Sequence, residues 1–295
     1  MTCSLRVFIT SLACLLLASP HVCAQDDILL DDVDLEPIVP ERVEDADVRA
    51  VSSRDEGDVA EMATLDFGLK VRQRSYNVDS EETNLKLSSA LYPSVYIGGS
   101  LFPFAGNRDS DTGMEWISGF GLSGNFSYGV DTTVIDEAGV VRRVPTRHLE
   151  VDLLLNYRNR INELLSVEAS TGVMTLDFVL SFNQLYSSTT YRAWQLGVSG
   201  AYSLLPWLEF EGGLRFFPVV GLGVSESEFG QDSSTLGAAI QIAVEADIVA
   251  GLYVHGGYEL LAFSSDFTGR GARGLESPVT TDVFHSLSIW AGYRF

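Results

Sequence analysis

Ser286-Leu287-Ser288-Ile289-Trp290-Ala291-Gly292-Tyr293-Arg294-Phe295 closes the chain on a strict two-residue period. Leu287, Ile289, Ala291, Tyr293 and Phe295 fall on one side. Ser286, Ser288, Trp290, Gly292 and Arg294, mostly small or polar, fall on the other. Successive side chains of a β-strand point to opposite faces, so this segment reads as one strand with an apolar and a mixed face. Soluble domains rarely finish on such a strand, because chain ends fray into water. A strand that crosses a membrane has a use for the pattern. Its odd face meets lipid, its even face meets the lumen, and its aromatics sit at the interface.

Working outward, ten runs are long enough to cross a bilayer, which takes about 9–11 tilted residues each. They cover approximately 63–75, 92–105, 114–129, 146–158, 164–179, 190–204, 207–221, 236–249, 252–264 and 283–295. In the fourth, Leu149, Val151, Leu153, Leu155 and Tyr157 oppose Glu150, Asp152, Asn156 and Arg158. In the first, Leu65, Phe67, Leu69 and Val71 oppose Asp66, Lys70, Arg72 and Arg74. The links alternate between long (76–91, 130–145, 180–189, 222–235, 265–282) and shorter (106–113, 159–163, 205–206, 250–251). The expected fold is an all-β, ten-stranded antiparallel up-and-down transmembrane barrel over 62–295. Eight strands would follow if the first two runs failed to insert, and twelve if strands were hidden in the loops. Long outer loops, short periplasmic turns and an even strand count place both termini in the periplasm. A soluble sandwich also alternates, but its outer face would be charged, whereas here the ionisable face is sparse and rich in Gly, Ser and Ala.

Residues 1–24 read as a secretory leader: Arg6, an apolar run Val7–Ala18, then Val22-Cys23-Ala24 before the cut. The apolar run is too short to span, and no later stretch approaches 18 uninterrupted apolar residues, so inner-membrane helices are excluded. All three cysteines (Cys3, Cys14, Cys23) lie in the leader, so the mature chain has no disulfide, cysteine-held metal or thiol nucleophile. The formal net charge is −21, and loss of the leader, which carries only Arg6, leaves −22. Half of that sits in residues 25–61, where 14 acids face three arginines without periodicity, an expected disordered acidic periplasmic segment. Nothing is basic enough for nucleic acid.

The region from about Ala63 to Phe295 thus resembles a bacterial outer-membrane β-barrel protein. Its last strand resembles the C-terminal signal read by the barrel-assembly machinery, carried here by Leu287, Ile289, Tyr293 and Phe295. The resemblance implies the outer membrane of a Gram-negative envelope, contact with lipid and lipopolysaccharide, escort by periplasmic chaperones and folding by the assembly machinery. It points to no narrower family.

Ten strands enclose a lumen only slightly wider than side chains can fill. The expected lumen network contains Asp66, Lys70, Arg72, Glu150, Asp152, Glu168, Glu211, Arg215, Glu245, His255, Glu259 and Arg294. Lone buried charges are costly and pair where they can, so Arg294 is expected to meet Asp66, and Glu259 to reach Lys70 or Arg72. Such a network either plugs and rigidifies the barrel or lines a narrow path that favours cations, its acids outnumbering its bases. An enzyme of the lipid A-modifying or protease type, with a site on the rim, is the alternative. Three histidines survive the leader: His148 and His285 at strand starts near the outer rim, where they read as interfacial polar residues, and His255 in the lumen. Neither the paired-Asp and Asp-His elements of rim proteases nor the His-x-Ser element of lipid A deacylases occurs. No cofactor or metal motif is legible, and the acidic loops match no calcium-loop spacing.

Overall fold

The computed structural model describes residues 61–81, 84–105, 115–130, 133–135, 141–180 and 187–295. The leader and nearly all of the acidic segment lie outside the described residues. Thirteen strands form one antiparallel sheet: β1 (Ala63–Asp79), β2 (Asn84–Ser89), β3 (Tyr92–Leu101), β4 (Phe120–Val130), β5 (Thr133–Ile135), β6 (Val141–Arg143), β7 (Thr146–Arg160), β8 (Leu165–Leu180), β9 (Thr189–Leu205), β10 (Leu208–Gly221), β11 (Gln231–Val249), β12 (Leu252–Thr268) and β13 (Val279–Arg294). The order closes on itself, because β1 pairs with β13 from Thr64↔Arg294 to Asp79↔Val279. Closure removes both free edges, the condition for β-structure to sit in lipid. β1, β3, β4 and β7–β13 are the ten staves of the barrel.

The second stave is interrupted. β1 pairs with β3 over Ala63–Arg72 and with β2 over Ser75–Asp79, so β2 and β3 act as two pieces of one strand. The β5–β6 hairpin then leans on β2 through Ser88↔Ile135 and Ser89↔Val134. β3 ends at Leu101 rather than 105, because Pro103 has no N–H to continue the ladder. The chain curls into a turn that buries Phe102 and Ala105. The next strand starts at Phe120 rather than 114, after a single 3-10 turn over Glu115–Gly119. Elsewhere the strands outgrow the expected runs. β11 has 19 residues and β12 has 17, several more than a crossing takes. Their far ends, paired from Thr235↔Ser265 to Gln231↔Thr268, therefore extend the sheet at the long-loop end, opposite the short turn that joins them. The link before β11 also holds a short helix, α1 (Val224–Phe229).

The outer surface is apolar where a soluble protein would be charged. Leu65, Phe67 and Leu69 on β1, Leu153 on β7, Trp194 on β9 and Leu287, Ile289, Tyr293 and Phe295 at the closing strand all point outwards and are exposed. A continuous apolar exterior on a closed sheet has one comfortable solvent, the acyl chains of a bilayer.

The interior changes character along its length. On β1 the inward Asp66, Gly68 and Lys70 are half-buried, whereas Arg72, Arg74, Tyr76 and Val78 are fully buried. The long-loop half is packed by Phe178, Tyr191, Phe217, Phe263, Phe267 and Phe284, with Tyr191 stacked on Phe263 at 3.9 Å. From the helix α1, Phe229 joins this core against Phe267.

Candidate functional site: the lumen

At the short-turn end the lumen opens into a cavity of about 930 Å³. It exists because inward positions there are small: Gly197, Ser199, Gly213, Ser123 and Ser170 leave space that aromatics fill further up. Eight carboxylates line it against four guanidinium groups among the described residues. Arg294 is its anchor. It forms ion pairs with Glu245 and Asp247 and with Glu61 at 2.6 Å, and its guanidinium lies 4.1 Å over the Tyr253 ring. Asp66 instead accepts a hydrogen bond from the Tyr253 hydroxyl. The register explains this: Asp66 lies across from Gly292, with Arg294 two residues further along the strand towards the mouth. Gly292 makes room for this contact, since a Cβ there would press on both the Asp66 carboxylate and the Tyr253 ring end. Glu168 pairs with Arg158 at 3.1 Å, and Arg158 also reaches Glu61 at 3.5 Å.

Glu211, Glu245 and His255 come from three consecutive strands. Glu245 sits directly opposite His255, and Glu211 is the diagonal neighbour on β10. His255 Nδ1 lies 3.8 Å from Glu245 Oε2 and 4.0 Å from Glu211 Oε1, beyond hydrogen-bond reach. Its ring stacks on Trp290, its cross-strand partner, at 3.8 Å and 15°.

Above the cavity a belt of charge crosses the lumen. Arg72, 1% exposed, pairs with Glu150 and donates to His148 Nε2. Lys70 Nζ lies 3.8 Å from Glu150 and 4.7 Å over the Tyr96 ring. Arg215 pairs with Glu259, so Glu259 does not reach Lys70 or Arg72. Both partners stand two strands away, Arg215 beyond β11 and Arg72 beyond β13, and Arg72 is already paired with Glu150. Asp152 is buried beneath the belt, and its Oδ1 has no hydrogen-bond partner.

Within the packed half lies an ion pair absent from the expected network. Arg74 Nε and Nη2 donate to the two oxygens of Asp282, each at 2.7 Å, and Tyr191 donates to the same carboxylate at 3.0 Å. Phe178 lies 4.2 Å beneath the guanidinium. Asp282 lies outside the expected tenth run, 283–295, because β13 begins four residues earlier, at Val279. The inward alternation of Phe284, Ser286 and Ser288, continued two residues back, would have found it.

His148 is not on the rim. It is wholly buried, 3.2 Å from the Tyr92 hydroxyl and against Phe178 and Phe284. β7 begins its inward face at Thr146, so His148 already points into the lumen. His285 faces outwards, with the Tyr258 hydroxyl 2.8 Å from its Nδ1. The three histidines sit in three separate environments.

No protein-family model matches the sequence, and neither does any curated protein. Solved structures do. The outer-membrane protein OprG from Pseudomonas aeruginosa is 12% identical, with 80% of this chain and 97% of that one covered at a TM-score of 0.35. The outer-membrane protease OmpT from Escherichia coli is 11% identical, covering 80% and 98% at 0.39. Ail, the attachment invasion locus protein of Yersinia pestis, is 10% identical, covering 78% and 99% at 0.31. The closed ten-stave topology and the apolar exterior make this chain a β-barrel of the bacterial outer-membrane type.

Proposed function

We propose that the protein is an integral outer-membrane barrel with a structural role, whose lumen is a blind acidic vestibule rather than a standing pore. The observation that carries this reading is the aromatic core of the long-loop half, sealed around the buried Arg74–Asp282 pair. A path for hydrated ions would have to displace Phe178, Phe263 and Phe284, each at most 1% exposed. In this reading the short-turn end and both termini face the periplasm, so the vestibule opens there. The outward Leu287, Ile289, Tyr293 and Phe295 serve as the strand read by the assembly machinery, and lipopolysaccharide surrounds the apolar belt on the outer side.

The test is recording from the purified protein in planar bilayers. We expect no steady conductance from the wild type, and openings only when Phe217→Ala and Phe263→Ala are combined. The excess of carboxylates in the cavity favours a second reading, cation passage. A steady, cation-selective wild-type conductance would establish that one and discard the blind vestibule.

A further inference from the structure

We propose that Glu211, Glu245 and His255 bind one divalent first-row transition ion inside the lumen. Their ligand atoms all lie within 4.8 Å of one another. Metal–ligand bonds of about 2.0–2.2 Å place two donors of one ion roughly 3–4 Å apart. The separations of 3.8 and 4.0 Å from His255 Nδ1 fall at the wide end of that range and are too long for hydrogen bonds. His255 is 6% exposed, yet makes no hydrogen bond among the described residues and points at two carboxylates. The imidazole nitrogen thus faces both carboxylates at once without a hydrogen bond to either, as three donors around a common centre would.

The surroundings hold the donors in place. Trp290 stacks on the imidazole and sets its plane. Arg294 occupies Glu245 Oε1 and leaves Oε2 turned to His255. Outer contacts of this kind orient ligands and raise affinity. The positive charge of Arg294 is shared with Glu61 and Asp247, so it does not cancel the two ligating carboxylates. One nitrogen and two carboxylates suit Zn²⁺, Mn²⁺, Fe²⁺ or Co²⁺ better than Ca²⁺ or Mg²⁺, which prefer oxygen alone. Water from the cavity completes the coordination sphere. The vestibule, with its surplus of carboxylates, concentrates cations near the site. The inference stands whether or not the lumen conducts.

Full-length protein folded in detergent and titrated with Co²⁺ provides the test, with visible absorption and tryptophan fluorescence as readouts. We expect saturation at one equivalent, quenching of Trp290, and displacement by Zn²⁺. His255→Ala and Glu211→Gln should each weaken binding by about tenfold or more. Glu168→Gln, which alters a carboxylate of the same cavity, should leave it unchanged. Trp290→Phe should abolish the quench while retaining the absorption change. Equal loss in Glu168→Gln, or displacement by equimolar Ca²⁺, would mean a diffuse counter-ion cloud and overturn the site. Folding of each variant is checked by its heat-modifiable migration. Should His255→Ala fail that check, a wild-type titration without Trp290 quenching is enough to reject the proposal.

Discussion

Two halves of one lumen are built on the same ten strands and differ in almost everything inside them. Along β1 the backbone continues unchanged from Asp66 to Val78, yet Asp66 borders open space while Arg74 and Tyr76 are sealed. Neither strand count nor lipid contact distinguishes the two ends. Inward side-chain volume does: Gly197, Ser199 and Gly213 at one end, Phe217, Phe263 and Phe284 at the other. A barrel of this size lies at the threshold where side chains just fill it, so glycine or phenylalanine decides between cavity and core.

The charges follow the same division. Arg74 and Asp282 meet in a dry, aromatic setting with matched donors, whereas Arg294 shares three carboxylates beside water. Removing one partner of a buried pair strands the other charge. The largest expected effect is therefore from Asp282→Leu alone, a loss of roughly 3–5 kcal/mol in reversible urea unfolding from lipid vesicles. Combining it with Arg74→Met should recover most of that loss. If the double variant were no better than the single, the pair would not be desolvated and the contrast between the halves would fail.

Phe263→Ala comes next, at about 3 kcal/mol in the same assay, through the cavity left beside Tyr191 and Phe217. Leu153→Arg, at the middle of β7 on the outer face, should cost about 2–4 kcal/mol in bilayers. A neutral result would mean that this face does not meet lipid. The smallest effect belongs to the wet half. Arg294→Ala should cost about 1 kcal/mol or less, and added salt should shrink it further, as for solvated pairs. An Arg294 loss as large as that of Asp282→Leu would show the cavity to be as dry as the core.

The staves themselves were legible because alternation is a local property, and lipid makes it strict. The outward Leu149, Val151, Leu153 and Leu155 could be read without any partner strand. Boundaries were less so. Asp282 falls in a link by the expected run lengths, whereas β13 begins at Val279 and alternation is the only cue to its extra length of strand. The β5–β6 hairpin, which pairs with β2 at Ser88 and Ser89 beside the break, is announced by no run of residues.

For the site, the alternation supplies most of the ionisable residues, though not Asp282 or Glu61, and few of the pairings. Asp66 and Arg294 stand on neighbouring strands, and only the register, two residues apart, directs one to Tyr253 and the other to Glu245, Asp247 and Glu61. Glu211, Glu245 and His255 have no motif spacing because the ladder, and not the chain, brings them together.

The sequence by itself determined the barrel, the lipid-facing belt and most of the side chains that enter the lumen, since a two-residue period sorts residues into two faces; His148 and Asp282, near strand ends, are the exceptions. Only the tertiary structure decided which charges pair, where the lumen fills and where it stays open. Those outcomes depend on strand register and on volumes summed across the barrel, and both are properties of ten strands at once.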